Sequence, residues 1–376
     1  MSEMHVSPAD MRSAAAALCC VSRAAPPRRV APARPRLPRA VAAGLLVGLL
    51  AGCSEAPEEP AGPTGTGSAT GTGAEDVPFQ LVLDDQLSVS PDGERVLADC
   101  WNGICTWDAS TGALTLVPDR NQVAVAPDWS RVATVSGGTV VLQPLEAEGP
   151  EQTLEGLEDA EVTDASPVTA VAFSPDGSRV AAAGPGAEVL VWSVEEGEVV
   201  ASMTASYAPE ELAFSPDGTR LATAGGGPVE VHDLAAEEVL ELGNGLSPAV
   251  AWSPDGRRLA GAGDDGVPVV WDAADGTEVA RLPGVRLHDL AFSPDSTTLA
   301  LTALDTTVVR LWTVGGGAAD LGGAEVTELV GHLDEPGALA FAPDGATLYS
   351  VAADDGVLAW TLGRGRPQAF EVPEGR

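Results

Sequence analysis

From residue 79 to residue 372 the apolar positions come in short runs, each broken by a polar turn rich in Pro, Asp and Gly. The clearest unit runs from Val168 to Met203 and predicts four strands. Val168 to Phe173 alternates small and large residues, Arg179 to Ala183 and Val189 to Val194 follow, and Glu198 to Met203 closes the unit. The turns between them, Pro175-Asp176-Gly177, Gly184-Pro185-Gly186 and Glu195-Glu196-Gly197, carry the residues that short turns require. Proline presets φ, aspartate accepts from nearby backbone, and glycine supplies positive φ.

The first of these turns recurs. Ser-Pro-Asp-Gly stands complete at Ser90, Ser174, Ser215 and Ser253, with variants beginning at Ala126, Ser293 and Ala342. The seven prolines, at 91, 127, 175, 216, 254, 294 and 343, are spaced by 36, 48, 41, 38, 40 and 49 residues. A period near forty predicts stacked four-stranded blades. About 15 residues after each turn glycine comes an aromatic: Trp107, Trp192, His232, Trp271, Trp312 and Trp360. The second unit departs, with Val140-Val141-Leu142-Gln143 placing a long aliphatic where the ring is expected.

These features resemble the WD-repeat (WD40) β-propeller family over residues 79 to 372. The last unit is the nearest match: Gly331-His332, then Ala342-Pro343-Asp344-Gly345, then Trp360-Thr361. The resemblance implies an all-β fold, a seven-bladed β-propeller of four-stranded antiparallel blades. It also implies a hydrogen-bonded tetrad within blades, complete at most in the seventh, because Gly-His occurs once. TolB-like propellers of six blades also repeat Ser-Pro-Asp-Gly, and a blade count separates the two readings. Phe79 to Leu83 is expected to close the ring as the outer strand of the last blade, with Gln368 to Val372 as rival. The Glu146 to Ser166 and Gly315 to Gly323 connections account for the longest spacings and read as exposed loops.

Ahead of the repeats the pattern changes. Seven arginines precede an uncharged apolar run from Ala40 to Gly52, which is short for a membrane span of about 20 residues and suits a signal peptide over residues 1–52. The 27 residues at its front are long for an n-region, which points to a true start beyond Met1. The run ends Leu50-Ala51-Gly52-Cys53, which resembles the bacterial lipobox and implies lipidation of Cys53, with palmitate among the acyl groups. Residues 53–76 then form a flexible linker, whose last 23 residues reach about 25 to 30 Å as a coil. Residues 77–376 are assigned to the propeller.

The net charge of −35 rests on 55 acids against 20 basic residues, all arginine. Removing residues 1–52 leaves 53 acids against 13 arginines, a net of −40. Nucleic acid is a poor partner for such a field, while a basic protein or peptide is compatible with it.

Asn102-Gly103 predicts a two-residue hairpin turn, pairing Trp101 with Ile104 and setting Cys100 opposite Cys105; in an exported chain this favours a disulfide. Small residues recur on the inner strands at Ala124, Ala172, Ala213, Ala251, Ala291 and Ala340, as strands converging on an axis require. One step along lie Glu211 and Asp289, which with the neighbouring His288 are the candidate binding residues at the channel mouth. Asp264-Asp265-Gly266 and Asp354-Asp355-Gly356 read as hairpin turns and lack the alternating oxygen ligands of a calcium loop. No catalytic residue, metal or cofactor is assigned. The expectation is a monomeric, lipid-anchored binding or scaffolding module on the extracytoplasmic side of the cell membrane. The alternative is a propeller hydrolase or lyase using the channel-mouth residues.

Overall fold

The computed structural model describes residues 87–100, 103–118, 124–136, 139–145, 149–157, 168–184, 186–236, 238–314, 326–352, 356–364 and 367–370. These contain 28 strands in seven antiparallel sheets of four, each built from consecutive strands. The sheets are the blades, and blades 1 to 7 span residues 87–118, 124–154, 170–204, 209–242, 250–281, 287–330 and 336–370. Seven blades form a ring, so the six-bladed reading falls. In the third blade the strands are Ala170–Phe173, Arg179–Ala183, Glu188–Ser193 and Val199–Thr204, within two residues of the expectation.

The core is divided among the seams. Seven clusters of buried residues each join one blade to the next, including the pair that completes the ring. Alternate residues of a strand point to opposite faces, so one blade feeds two seams. In blade 5, Leu259, Val269 and Trp271 pack toward blade 4, whereas Ala260, Ala262 and Val270 pack toward blade 6. This is why the middle strands are mostly apolar on both faces: each face packs into a seam.

Ring closure differs from the favoured expectation. The outer strand of blade 7 is Gln368–Phe370, paired with Gly356–Thr361, so the blade is completed by the residues that follow it. Residues 79–83 lie outside the described residues. Phe370 is 1% exposed, and its ring stacks on Tyr349 with centroids 6.0 Å apart. Burial of that ring anchors the strand. The closing seam then joins Val96, Ala98, Cys105 and Trp107 of blade 1 to Ala338, Val351, Val357 and Phe370 of blade 7.

The recurring turn is a network as well as a bend. Ser174 is 1% exposed; its hydroxyl donates to Asp176 Oδ1 (2.6 Å) and accepts the Arg179 N–H (2.9 Å). Asp176 Oδ1 in turn accepts the Ser178 N–H at 3.0 Å, and Gly177 has φ of +69°. Ser90, Ser215, Ser253 and Ser293 repeat the serine-to-aspartate bond. Two variants place a residue with a side chain in the same left-handed conformation: Ser296 at +62° and Trp129 at +58°. Trp129 is buried in the seam between blades 1 and 2, beneath the Arg95 guanidinium 5.0 Å from the ring centroid.

Candidate functional site

The inner strands carry the residues expected at the channel mouth, but the structure gives them another task. Three of these strands bulge near their start, between Pro209 and Glu211, Leu287 and Leu290, and Pro336 and Ala338. A bulge re-aims a side chain. Glu211 Oε2 reaches blade 5 and accepts the Val250 N–H at 2.8 Å. Asp289, 9% exposed, reaches blade 7 and accepts the Leu339 N–H at 2.8 Å. His288 Nδ1 lies 3.3 Å from the Pro336 carbonyl of the same blade. An inner strand is a sheet edge with unpaired N–H groups, and these carboxylates satisfy them. Glu211 and Asp289 thus serve different seams, and their carboxylates are committed to backbone.

A second set of ties was missed in the sequence. Arginine opens the second strand in five blades, at Arg95, Arg131, Arg179, Arg220 and Arg258, two residues beyond the turn glycine or its substitute. Arg179 Nη1 donates to Gly218 O at 3.4 Å, Arg220 to Ala273 O, and Arg258 to Val314 O, each in the following blade. Arg220 also covers the Trp252 ring at 4.7 Å. The recurrence of arginine at that offset was the available signal.

At the recurrent aromatic position the blades diverge. In blade 7 the Ser350 hydroxyl accepts the Trp360 indole N–H at 2.7 Å and lies 2.6 Å from His332 Nε2. All three residues are buried. Residues 353–355 lie outside the described residues, Asp354 among them. The strand register shows why the arrangement is not repeated. Trp360 pairs with Leu348, two residues before Ser350; the matching positions opposite Trp107, Trp192, Trp271 and Trp312 are Ala98, Ala182, Gly261 and Leu301. None offers a side-chain acceptor. Trp192 turns instead to the Glu155 carbonyl at 2.9 Å, while the indole N–H groups of Trp107 and Trp312 find no partner among the described residues.

Blade 4 substitutes a buried Glu–His pair. Glu230, 3% exposed, accepts the Ser206 N–H at 3.2 Å, and His232 Nε2 lies 3.2 Å from Glu230 Oε2, off the line of a hydrogen bond. Burial holds the His232 imidazole below its ordinary pKa of 6.5. Blade 2 departs furthest. By register the residue opposite Val132 is Gln143, so an amide rather than an aliphatic replaces the ring. Beside it lies a cavity of about 380 Å³ lined by Ser130, Arg131, Leu142, Gln143, Glu151 and Gln152, among others.

The remaining candidates are placed as follows. The hairpin of blade 1 pairs Cys100 with Gly103, Asp99 with Ile104 and Ala98 with Cys105, so the cysteines are diagonal neighbours and not directly opposed. Gly103 joins the strand opposite Cys100, which moves the turn off Asn102-Gly103. Cys105 is buried and disulfide-bonded; the side chain of Cys100 lies outside the described ones. Asp264-Asp265-Gly266 is a hairpin turn, closed by the Gly266 N–H on Gly263 O at 2.9 Å, and Asp265 pairs with Arg281 at 2.8 Å. Among the described residues no three His, Cys, Asp or Glu side chains gather to hold a metal ion, and no helix is long and apolar enough to cross a membrane. Cys53 lies outside the described residues.

Seven four-stranded blades sharing seam cores define the class: a seven-bladed β-propeller. The family model "WD domain, G-beta repeat" matches residues 159–193 and 247–272, two stretches of the chain. Its fold is similar to a chain in a crystal structure of the mitotic checkpoint complex, with 18% identity, a TM-score of 0.62, and coverage of 80% of this chain and 99% of that one. It is also similar to the β-propeller domain of Cps50 (Swd1) from Myceliophteria thermophila, with 16% identity, a TM-score of 0.57, and coverage of 68% and 87%. No curated protein sequence matches significantly.

Proposed function

We propose that the chain is an exported, lipid-anchored propeller acting as a protein-binding or scaffolding module on the extracytoplasmic side of a bacterial cell membrane. The observation that carries the address is Leu50-Ala51-Gly52-Cys53 at the end of a 13-residue uncharged apolar run that follows seven arginines. Cys53 bears the lipid, residues 54–76 are the tether, and the propeller follows as a monomer. The binding role is supported by the WD40 repeats and by a propeller of similar fold having been crystallised as part of a protein complex. It is further supported by the commitment of Glu211 and Asp289 to the backbone of neighbouring blades, which takes the acids of the enzymatic reading out of reactive roles. The acidic field favours a partner with a basic face. The Cys105 disulfide is assigned to Cys100.

Radiolabelled palmitate and crosslinking in intact cells test this together. The account expects label on the wild-type chain, none on Cys53→Ser, loss of the variant from the membrane fraction, and one protein captured by the folded wild type. An unlabelled wild-type chain refutes the anchor; a labelled chain that captures nothing refutes the scaffold. Two free thiols in unreduced peptide mass spectra would refute the Cys100–Cys105 assignment.

A further inference from the structure

Two departures fall together in blade 2. Gln143 occupies the position that a tryptophan fills in five of the other blades, and the smaller side chain borders the cavity of about 380 Å³. Arg131 opens the second strand as Arg179, Arg220 and Arg258 do, but its guanidinium makes no hydrogen bond or ion pair among the described residues. It lines the cavity instead. Glu151 lines the same cavity and has no ion pair among the described residues, with Arg131 or with any other group. Opposite charges thus border one space without neutralising each other, and Leu142, Pro144 and Pro150 add apolar wall.

We propose that this cavity is a binding site for a small zwitterion with an aliphatic side chain, of the class of free amino acids. Arg131 takes the carboxylate, in the planar geometry a guanidinium matches best, and Glu151 takes the ammonium. The aliphatic group lies on Leu142 and the two prolines. A cavity of this size falls within the range of small-molecule sites, about 300 to 1,000 Å³. The mixture of charges also resolves an electrostatic difficulty. A simple anion would enter a strongly acidic molecule against its field, whereas a zwitterion carries no net charge and is neither repelled nor drawn until it reaches the paired groups. This proposal does not rest on the scaffold reading, and the two stand or fall separately.

Titration calorimetry on the purified full-length chain tests it with L-leucine, N-acetyl-L-leucine and L-leucinamide. The expected result is saturable binding of leucine in the micromolar to millimolar range, with the two blocked forms weaker by about tenfold or more, since each leaves one charge unmatched. Arg131→Gln and Glu151→Gln are each expected to weaken leucine by about tenfold or more while melting within a few degrees of the wild type, because neither side chain ties blades together. The proposal is overturned if leucine gives no saturable heat up to about 10 mM. Binding of N-acetyl-L-leucine as tight as leucine would also overturn it, by showing a plain anion site. So would well-folded variants that bind leucine like the wild type.

Discussion

Blade 7 and blade 2 share a backbone plan and differ in what fills one position. In blade 7 Trp360 is 4% exposed, its indole N–H bonded to Ser350 and Ser350 linked to His332. In blade 2 the same register position holds Gln143, whose amide reaches Thr134 at a long 3.4 Å, and a cavity lies beside it. The strand pairing survives the exchange. What is lost is the plug, and the comparison separates what the fold needs from what a blade can surrender. Strand pairing and the seams hold the ring; the aromatic adds stability to individual blades.

The largest effect should come from emptying the filled blade. Trp360→Ala is expected to cost about 3 to 5 kcal/mol in urea unfolding, whereas Gln143→Ala, at a position already beside a void, should cost less than about 1.5 kcal/mol. Equal losses would remove the distinction. Next, Asp289→Ala leaves the buried Leu339 N–H without its acceptor and should cost about 1 to 3 kcal/mol, with Asp289→Asn recovering part through its amide oxygen. Ser350→Ala takes the shared hydroxyl from Trp360 and His332 and should fall in the same range, about 1 to 3 kcal/mol. The matching change in blade 5, Gly261→Ala, acts on a glycine whose added Cβ would lie 2.9 Å from Ser247 Oγ, and so probes crowding instead.

Acid should loosen several turns at once. Hydroxyl and backbone donors, first among them Ser174 and Ser215, hold Asp176 and Asp217 down to about 2. A carboxylate whose folded pKa lies below its unfolded one contributes stability above the unfolded value, near 3.8, and loses it as pH falls toward 2. His232 acts in the same direction at milder acidity: held below 6.5 by burial, it favours the folded state above that value and opposes it below. The melting temperature is therefore expected to decline gently below pH 6.5 and steeply below about pH 4. His232→Gln should flatten the first decline alone. The smallest effect is expected from Ser296→Gly, which relieves a left-handed serine but removes a hydroxyl that accepts the Asp255 N–H at 3.1 Å; the change should stay within about 1 kcal/mol.

The ring was legible because turn chemistry is local. Ser-Pro-Asp-Gly needs only its own residues to bend the chain, so four copies and three variants on a period near forty declare seven hairpins before any packing is known. Closure was not legible, since Phe79 to Leu83 and Gln368 to Val372 both read as short strands in the sequence, and the choice turns on burial of Phe370 against Tyr349. The roles of Glu211 and Asp289 were hidden for a related reason: bulges at the head of the inner strands turn them toward the next blade, and a two-residue period cannot foresee a bulge. The cysteine register differs by two residues because Gly103 pairs with Cys100 as a strand residue, and a two-residue shift leaves every side chain on its face, so the hydrophobic pattern could not distinguish the two pairings. The cavity of blade 2 was half visible, in the missing aromatic, while the untied Arg131 emerged only beside its three tied counterparts.

The most direct test exchanges the two plugs and reads urea unfolding midpoints side by side. The account predicts that Trp360→Gln lowers the midpoint sharply, by the equivalent of about 3 kcal/mol or more, while Gln143→Trp is accepted with little change because space exists beside it. Near-equal losses from the two exchanges, or collapse of Gln143→Trp alone, would contradict the claim that blade 2 is built around an opening where blade 7 is built around a ring.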